Sequence, residues 1–195
     1  MSKNLALFDF DGTITKKDTL SDFFKFIEPN SLIYFYYKYL FNIIDNISYK
    51  LGFIDLDKLK KSRIEAFFHN KKYAELVALG DKYAKMILPE LIKTSALEAI
   101  DNHLINNDDV YIVSASIDLI LNDWCLKKNI GLITNNIDSG LNNYLGRDCN
   151  YEEKLIRIKQ SINLEKYNFI YAYGDTEGDK YMLEIANHKF YQYFN

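Results

Sequence analysis

Two carboxylates one residue apart follow a short apolar run near the start of the chain. The run Leu5–Phe8 leads directly into the sequence DFDGT at residues 9–13, which contributes Asp9 and Asp11. One carboxylate of such a pair can attack phosphorus and form an aspartyl-phosphate, which splits a slow hydrolysis into two faster steps. The other can protonate the leaving alkoxide and then deprotonate the attacking water. An Asp-Gly turn joining two strands is the alternative explanation for this segment.

A second acidic cluster, GDTEGD at residues 174–179, lies near the end of the chain. Carboxylate oxygens, completed by water and phosphate, are the ligands that Mg²⁺ prefers. Without a cation, two such charges about 4 Å apart repel by about 4 kcal/mol at an effective dielectric constant of about 20. The two clusters together therefore indicate a magnesium site, with Asp9 and Asp175 as direct ligands and Asp179 as an indirect one. A turn that caps the following helix is the alternative.

A bound phosphoryl group also needs hydrogen-bond donors, and the middle of the chain offers two candidates. Ser114 follows the apolar run Val110–Val113, and the backbone N–H of Ala115 lies beside its hydroxyl group. Lys154 opens a predicted helix, from which it could reach both the phosphate and Asp9. Taken singly, the serine could equally cap a helix and the lysine could lie on a solvated helix face.

Composition excludes several classes of protein. The 195 residues carry a net charge of -3, which provides no field that would attract nucleic acid. The two cysteines, Cys125 and Cys149, show no zinc-site spacing and are interpreted as reduced cytoplasmic thiols. Charged and amide residues interrupt the aromatic stretch Ser31–Ile47, so no transmembrane segment is expected, although this stretch could contact a membrane surface or a protein.

The order of predicted helices and strands along the chain indicates how these residues are positioned. Helical spacing extends from Asp18 to about Pro89, and afterwards helices alternate with strands. This order predicts a three-layer α/β/α doubly wound parallel sheet, in which ligands bind at the carboxyl ends of the strands. The predicted strands are Leu5–Phe8, Val110–Val113, Gly131–Thr134, Phe169–Tyr173 and Lys189–Tyr193, with a helix at Leu91–Leu104 and a hairpin arm at Asn142–Arg147.

The motifs together resemble the haloacid dehalogenase-like hydrolase superfamily, in the branch of phosphoserine phosphatase with a helical C1-type cap (subfamily IB). The resemblance rests on DFDGT at 9–13, VSAS at 113–116, EK at 153–154 and GDTEGD at 174–179. It implies a Rossmann-like core of residues 1–14 and 90–195, with an all-helical cap domain of residues 15–89.

The resemblance also implies a role for each motif residue. Asp9 is similar to the nucleophile and Asp11 to the general acid and base, whose backbone carbonyl would also bind Mg²⁺. Asp175 resembles the third protein ligand, and Asp179 belongs to the same metal site. Thr13, Ser114 and Lys154 resemble the phosphate-binding residues, to which the backbone N–H of Ala115 adds a further candidate donor.

Two departures from phosphoserine phosphatase concern the substrate. Gly178 stands where that enzyme has Asn, and Ala115-Ser116 replaces a glycine pair. Asp18 falls where relatives carry a Glu that recognises an amine, and Arg63 could bind a carboxylate from the cap.

The sequence therefore predicts a cytoplasmic, Mg²⁺-dependent phosphatase acting on a small phosphorylated metabolite. A phosphotransferase or mutase of the same superfamily is one alternative. The other is a membrane-surface or protein-binding module that uses the aromatic helix.

Overall fold

A five-stranded parallel sheet forms the centre of the molecule. The computed structural model describes residues 3–28 and 55–194, and also residues 30, 32, 34, 35, 38, 39 and 43. The strands of the sheet are β1 (Leu5–Phe8), β2 (Asp109–Ile117), β3 (Gly131–Asn135), β6 (Ile170–Gly174) and β7 (His188–Tyr191). Their order is β3-β2-β1-β6-β7, and β4 (Ile137–Asp138) pairs with β5 (Asn143–Tyr144) in a separate antiparallel hairpin.

Helices cover both faces of this sheet. Those described are α1 (Thr19–Ile27), α2 (Leu56–Phe68), α3 (Tyr73–Met86), α4 (Leu88–Leu91), α5 (Thr94–Ile105), α6 (Asp118–Lys128), α7 (Glu152–Ser161) and α8 (Lys180–Glu184). Because side chains alternate along a strand, Ala6 and Phe8 join the hydrophobic cluster of α1 to α6. Leu5 and Leu7 join a second cluster with α7 and α8. The predicted three-layer doubly wound architecture is confirmed.

The order of the strands reverses beside β1. From β1 the chain moves through β2 to β3 at one edge, and β6 then pairs with the other side of β1. Phe8 is level with Tyr173 in the register, and the N–H of Asp9 donates to the Tyr173 carbonyl at 2.9 Å. The residues that follow β1 and β6 therefore meet at the crevice where sheets of this kind bind ligands.

In the described part of the chain between β1 and β2, the regular elements are the helices α1 to α5, and Thr15 and Ile92 form an isolated antiparallel bridge. The carboxylate of Asp18 caps α1 by accepting from the Ser21 amide at 2.6 Å, and Asp55 caps α2. Helix α3 approaches α6 so closely that a Cβ at Gly80 would overlap the carbonyl oxygen of Leu119. The helical segment, which is the described part of residues 15–89, thus packs directly on the sheet and its helices. Its assignment to a separate cap domain stays a prediction.

Local boundaries differ from the predicted ones for identifiable reasons. Strand β2 continues to Ile117, and its register with β3 shifts beyond Val113, so Ser114 and Ala115 lie in an irregular stretch of the strand. The predicted helix Leu91–Leu104 is interrupted at Lys93, whose N–H donates to the Ile14 carbonyl at 2.8 Å instead of continuing a helix. The hairpin begins at Ile137, earlier than predicted.

Most of the aromatic stretch Ser31–Ile47 lies outside the described residues. Four of its apolar side chains are described and exposed: Leu32, Phe35, Tyr39 and Ile43. Among the helices that the structure describes, none combines the length and the apolar character that a membrane crossing requires.

Candidate active site

A buried lysine joins carboxylates from both acidic clusters. Lys154, in the first turn of α7, is 1% exposed, and its Nζ lies 2.6 Å from Asp9 Oδ1 and 2.5 Å from Asp179 Oδ1. The second oxygen of Asp179 accepts hydrogen bonds from the amides of Asp175 and Thr176. Asp179 is therefore fully engaged by protein donors, which suits an indirect role in the site.

Three carboxylates surround this single positive charge. Burial raises the pKa of Asp9 to about 6, because the neighbouring charge of Asp179 adds to the desolvation and the ion pair with Lys154 offsets only part of it. Burial alone would lower the pKa of Lys154, but the charges of Asp9 and Asp179 raise it above its usual value. Burial likewise raises the pKa of Asp175. The site therefore carries more negative charge than its protein partners neutralise.

A divalent cation fits this surplus of carboxylate oxygens. One oxygen each of Asp9, Asp175 and Asp179 lies within 4.8 Å of the other two. Among the described residues, the second carboxylate oxygen of Asp9 has no hydrogen-bond donor. The Asp175 carboxylate lies so close to the loop of residues 9–13 that a Cβ at Gly12 would overlap it. This all-oxygen donor set matches the preference of Mg²⁺.

Thr13 connects the two acidic loops, which are the loops of residues 9–13 and 174–179. Its side chain is buried, and its hydroxyl donates to Asp175 Oδ1 at 3.0 Å. Gly12, just before it, has a φ of +85°, a conformation that favours glycine. In this structure Thr13 therefore orients a candidate metal ligand, in addition to lying in the predicted phosphate-binding loop.

Asp11 points towards the helical segment rather than into the carboxylate cluster. Its Oδ1 accepts from the Thr19 amide at 2.7 Å, at the start of α1. Burial, reinforced by the charge of Asp18, raises the pKa of Asp11 to about 7 although the Thr19 hydrogen bond opposes the shift. A carboxyl group that titrates near neutral pH can both donate and accept a proton.

The predicted phosphate-binding residues of β2 lie at the same edge of the sheet. The Ser114 hydroxyl is buried and accepts from the Ser116 amide at 2.9 Å. The Ala115 carbonyl accepts from Asn135 Nδ2 at 2.7 Å and also from Lys60 Nζ. These contacts connect the irregular end of β2 to β3 and α2.

The two candidate specificity residues belong to the helical segment. Asp18 is exposed, and its charge acts on both Asp11 and Arg63. Burial lowers the pKa of the half-buried Arg63, whereas the charge of Asp18 opposes that shift. Both residues therefore belong to the side of the crevice that the helical segment provides.

Sequence reasoning missed three residues that shape the site. Asn135 ends β3 and bonds both Ala115 and Asp148, so the rule that polar residues at strand ends face the crevice could have identified it. Lys60 belongs to α2, and its Nζ lies 2.7 Å from Asp148 Oδ1. Lys93 lies in the break between α4 and α5, and its Nζ lies 2.6 Å from the Gly12 carbonyl oxygen. Neither lysine stands in a motif.

Residues 6–184 match the family model of the haloacid dehalogenase-like hydrolases. Among curated proteins, the chain is 27% identical to the protein CicA of Caulobacter vibrioides, covering 97% of this chain and 86% of that protein. It is 22% identical to a histidinol-phosphatase of Neisseria meningitidis, covering 95% and 88%.

Solved structures share the fold. A protein of unknown function from Bordetella pertussis superposes with a TM-score of 0.77 at 18% identity, covering 95% of this chain and 88% of that one. A substrate-bound phosphoserine phosphatase superposes with a TM-score of 0.57 at 19% identity, covering 98% and 86%. At these identities the likeness shows the fold alone.

Proposed function

Because the chain belongs to the haloacid dehalogenase-like hydrolase family, as its motifs indicate, we propose that it is a Mg²⁺-dependent phosphatase with Asp9 as the nucleophile. It would hydrolyse a small phosphate monoester through an aspartyl-phosphate. The observation that carries the proposal is the contact of Lys154 with both Asp9 and Asp179 beside a third carboxylate, Asp175. A buried cation of this kind can hold a nucleophile ionised and also bind a phosphate oxygen.

In the first step, a carboxylate oxygen of Asp9 attacks phosphorus, and the bond from phosphorus to the ester oxygen breaks. Asp11 transfers its proton to that departing oxygen, which leaves as an alcohol. A pKa of about 7 suits this task, because the group is substantially protonated at neutral pH. The Ser114 hydroxyl, the Ala115 amide and Lys154 would bind the oxygens of the phosphoryl group.

In the second step, ionised Asp11 accepts a proton from water, whose oxygen attacks phosphorus and releases Asp9 and inorganic phosphate. Asp9 and Asp175 side chains and the Asp11 carbonyl would hold Mg²⁺, with Asp179 as an indirect ligand. When bound, the cation would neutralise charge on the phosphoryl oxygens.

The substrate that we propose is a small phosphorylated metabolite. One relative is named a histidinol-phosphatase and one structural neighbour is a phosphoserine phosphatase. Histidinol and serine, the alcohols in those two names, both carry an amine. The charge of Asp18 would favour an amine, and Arg63 would favour a carboxylate. The two buried free thiols, Cys125 and Cys149, accord with the proposed cytoplasmic location.

The replacement of Asp9 tests the reaction directly. We expect Asp9→Asn to lower the turnover of p-nitrophenyl phosphate with Mg²⁺ by at least about 10³-fold, because the amide cannot act as the nucleophile. Asp123→Asn, which removes a carboxylate on the surface of α6, serves as the matched control and should keep full activity. Retained turnover in Asp9→Asn would refute the assigned nucleophile.

Product analysis separates hydrolysis from the alternatives. Release of inorganic phosphate from a panel of phosphorylated metabolites supports a phosphatase, whereas an isomerised phosphate ester supports a mutase. Turnover of no phosphate ester, together with co-sedimentation with liposomes, would favour the membrane-surface module instead.

A further inference from the structure

Lys93 contacts the backbone of the acidic loop of residues 9–13 and has no role in the proposed reaction. Its Nζ donates to the Gly12 carbonyl at 2.6 Å and to the Phe194 carbonyl at 3.1 Å. Its own N–H donates to the Ile14 carbonyl at 2.8 Å, in the break between α4 and α5. Lys93 therefore holds both ends of the turn that follows Asp11 and connects it to the end of the described chain.

Gln192 makes the corresponding contacts with the second acidic loop. It has a φ of +50°, which turns the chain back after β7. Its backbone N–H donates to the Gly174 carbonyl at 2.9 Å, and its Nε2 donates to the Asp175 carbonyl at 3.1 Å. Gln192 thus fixes the peptide groups on both sides of Asp175, the candidate metal ligand.

Aromatic packing anchors this end of the chain beneath the site. Phe194 is buried, and its ring stacks on Tyr173 with centroids 5.3 Å apart and on Phe8 at 6.3 Å. Phe8 and Tyr173 are themselves stacked at 4.2 Å. Phe8 directly precedes Asp9, and Tyr173 precedes Gly174, so Phe194 contacts the ends of the two strands that carry the acidic loops.

We infer that Lys93, Gln192 and Phe194 form a clamp that sets the separation and orientation of the two acidic loops. Because a trans peptide is planar, directing the Gly12 carbonyl at Lys93 turns the Thr13 N–H away from Lys93. Thr13 in turn donates to the carboxylate of Asp175. These are positioning residues, which act on the candidate ligands through the backbone and do not touch substrate.

The clamp predicts weaker Mg²⁺ binding and slower turnover in Lys93→Met. We expect the Mg²⁺ concentration at half-maximal thermal stabilisation to rise roughly tenfold and kcat to fall roughly tenfold, as when partners that orient metal ligands are removed. KM for p-nitrophenyl phosphate should stay unchanged, and Lys93→Arg should recover part of both losses. Lys16→Met is the matched control, because the exposed Lys16 also donates to a backbone carbonyl, that of Glu90 in α4.

Hydrogen exchange tests the clamp without Mg²⁺ or turnover, so its outcome is independent of the proposed function on which the kinetic expectation rests. In Lys93→Met and Gln192→Ala, amides of residues 10–15 and 174–177 should exchange faster, whereas Lys16→Met and the exposed-site control Gln160→Ala should match the unmodified chain. Exchange unchanged in both acidic loops would overturn the clamp. So would equal effects of Lys93→Met and Lys16→Met. Should Lys93→Met fail to fold, Gln192→Ala, which removes the Nε2 bond to the Asp175 carbonyl, decides in the same way.

Discussion

The crevice and the helical segment that faces it are held together by different forces. In the crevice, buried charges meet partners at hydrogen-bond distance, as Lys154 meets Asp9 and Asp179. In the helical segment, rings pack on one another, as Phe24 stacks on Phe67 with centroids 4.3 Å apart. Charge-assisted hydrogen bonds fix the positions of individual atoms, whereas apolar packing is non-directional.

In the function that we propose, this difference suits the two regions to separate tasks. Chemistry at phosphorus needs atoms held in place, and the crevice provides such atoms. Selection among substrates needs a surface that can vary, and the residues that we propose for it, the exposed Asp18 and the half-buried Arg63, lie in the helical segment. Changes in the crevice should therefore affect turnover and metal binding, and changes in the helical segment should affect stability or selectivity.

Among the changes that test this comparison of the two regions, the largest expected effect comes from removing the buried positive charge. Lys154→Met leaves Asp9 and Asp179 buried without a counter-charge, which should lower the free energy of unfolding by about 3–5 kcal/mol. It should also lower kcat by about 10²–10³-fold, through loss of a phosphate donor. Urea unfolding and steady-state kinetics measure the two effects. Lys159→Met, on the exposed face of the same helix, should change neither, and a similar loss there would contradict the assignment.

The second prediction concerns the region in which Mg²⁺ binds. Mg²⁺ at about 100 times its Kd should stabilise the fold by about 2.7 kcal/mol, seen as a rise in Tm. Asp175→Asn should abolish most of this rise, because it removes a carboxylate of the cluster. Glu177→Gln, an exposed neighbour in the same loop, should preserve it. A rise that survives Asp175→Asn would place the cation elsewhere, for example at the acidic helix starts of the helical segment.

The third prediction concerns the contact between α3 and α6. Gly80→Ala inserts a methyl group against the Leu119 carbonyl and should destabilise the fold by about 1–3 kcal/mol, while kcat of the folded enzyme stays nearly unchanged. Thermal unfolding is the measurement, with Gly140→Ala in the exposed hairpin as the control. Stabilisation by Gly80→Ala, the usual result of this change in an open helix, would show that the contact is looser than the structure indicates.

The smallest effect is expected from Asp18→Asn, which keeps an N-cap acceptor but removes its charge. Loss of that charge should lower the pKa of Asp11, because Asp18 adds to the effect of burial in raising it. Asp11 then loses its proton at lower pH, so the decline of activity on the alkaline side should move towards acid. The change in kcat/KM at neutral pH should be no more than about fivefold.

A pH–rate profile measures this shift. Asp55→Asn, which neutralises the N-cap of α2, is the matched control and should leave the profile in place. A shift of the Asp18→Asn profile towards alkaline pH would contradict the proposed interaction with Asp11.

The order of apolar runs and polar motifs was sufficient to predict the sheet and the meeting of the acidic loops. Leu5–Phe8 is fully buried, as a run of apolar residues in a central strand of a parallel sheet is expected to be. In a parallel sheet the residues that follow the strands share one edge, and the pairing of β1 with β6 brings Asp9 and Asp175 together there. Their residue types then restricted the chemistry.

Only the tertiary structure decided which partners surround those residues. Lys93 lies 81 positions from Gly12, and it reaches that carbonyl because a bond to Ile14 interrupts a helix that its sequence would otherwise continue. The irregular end of β2 and its contacts with Asn135 and Lys60 likewise depend on how β3 and α2 pack beside it. Hydrogen bonds act over about 3 Å, a distance that periodicity along one chain cannot specify between separate elements.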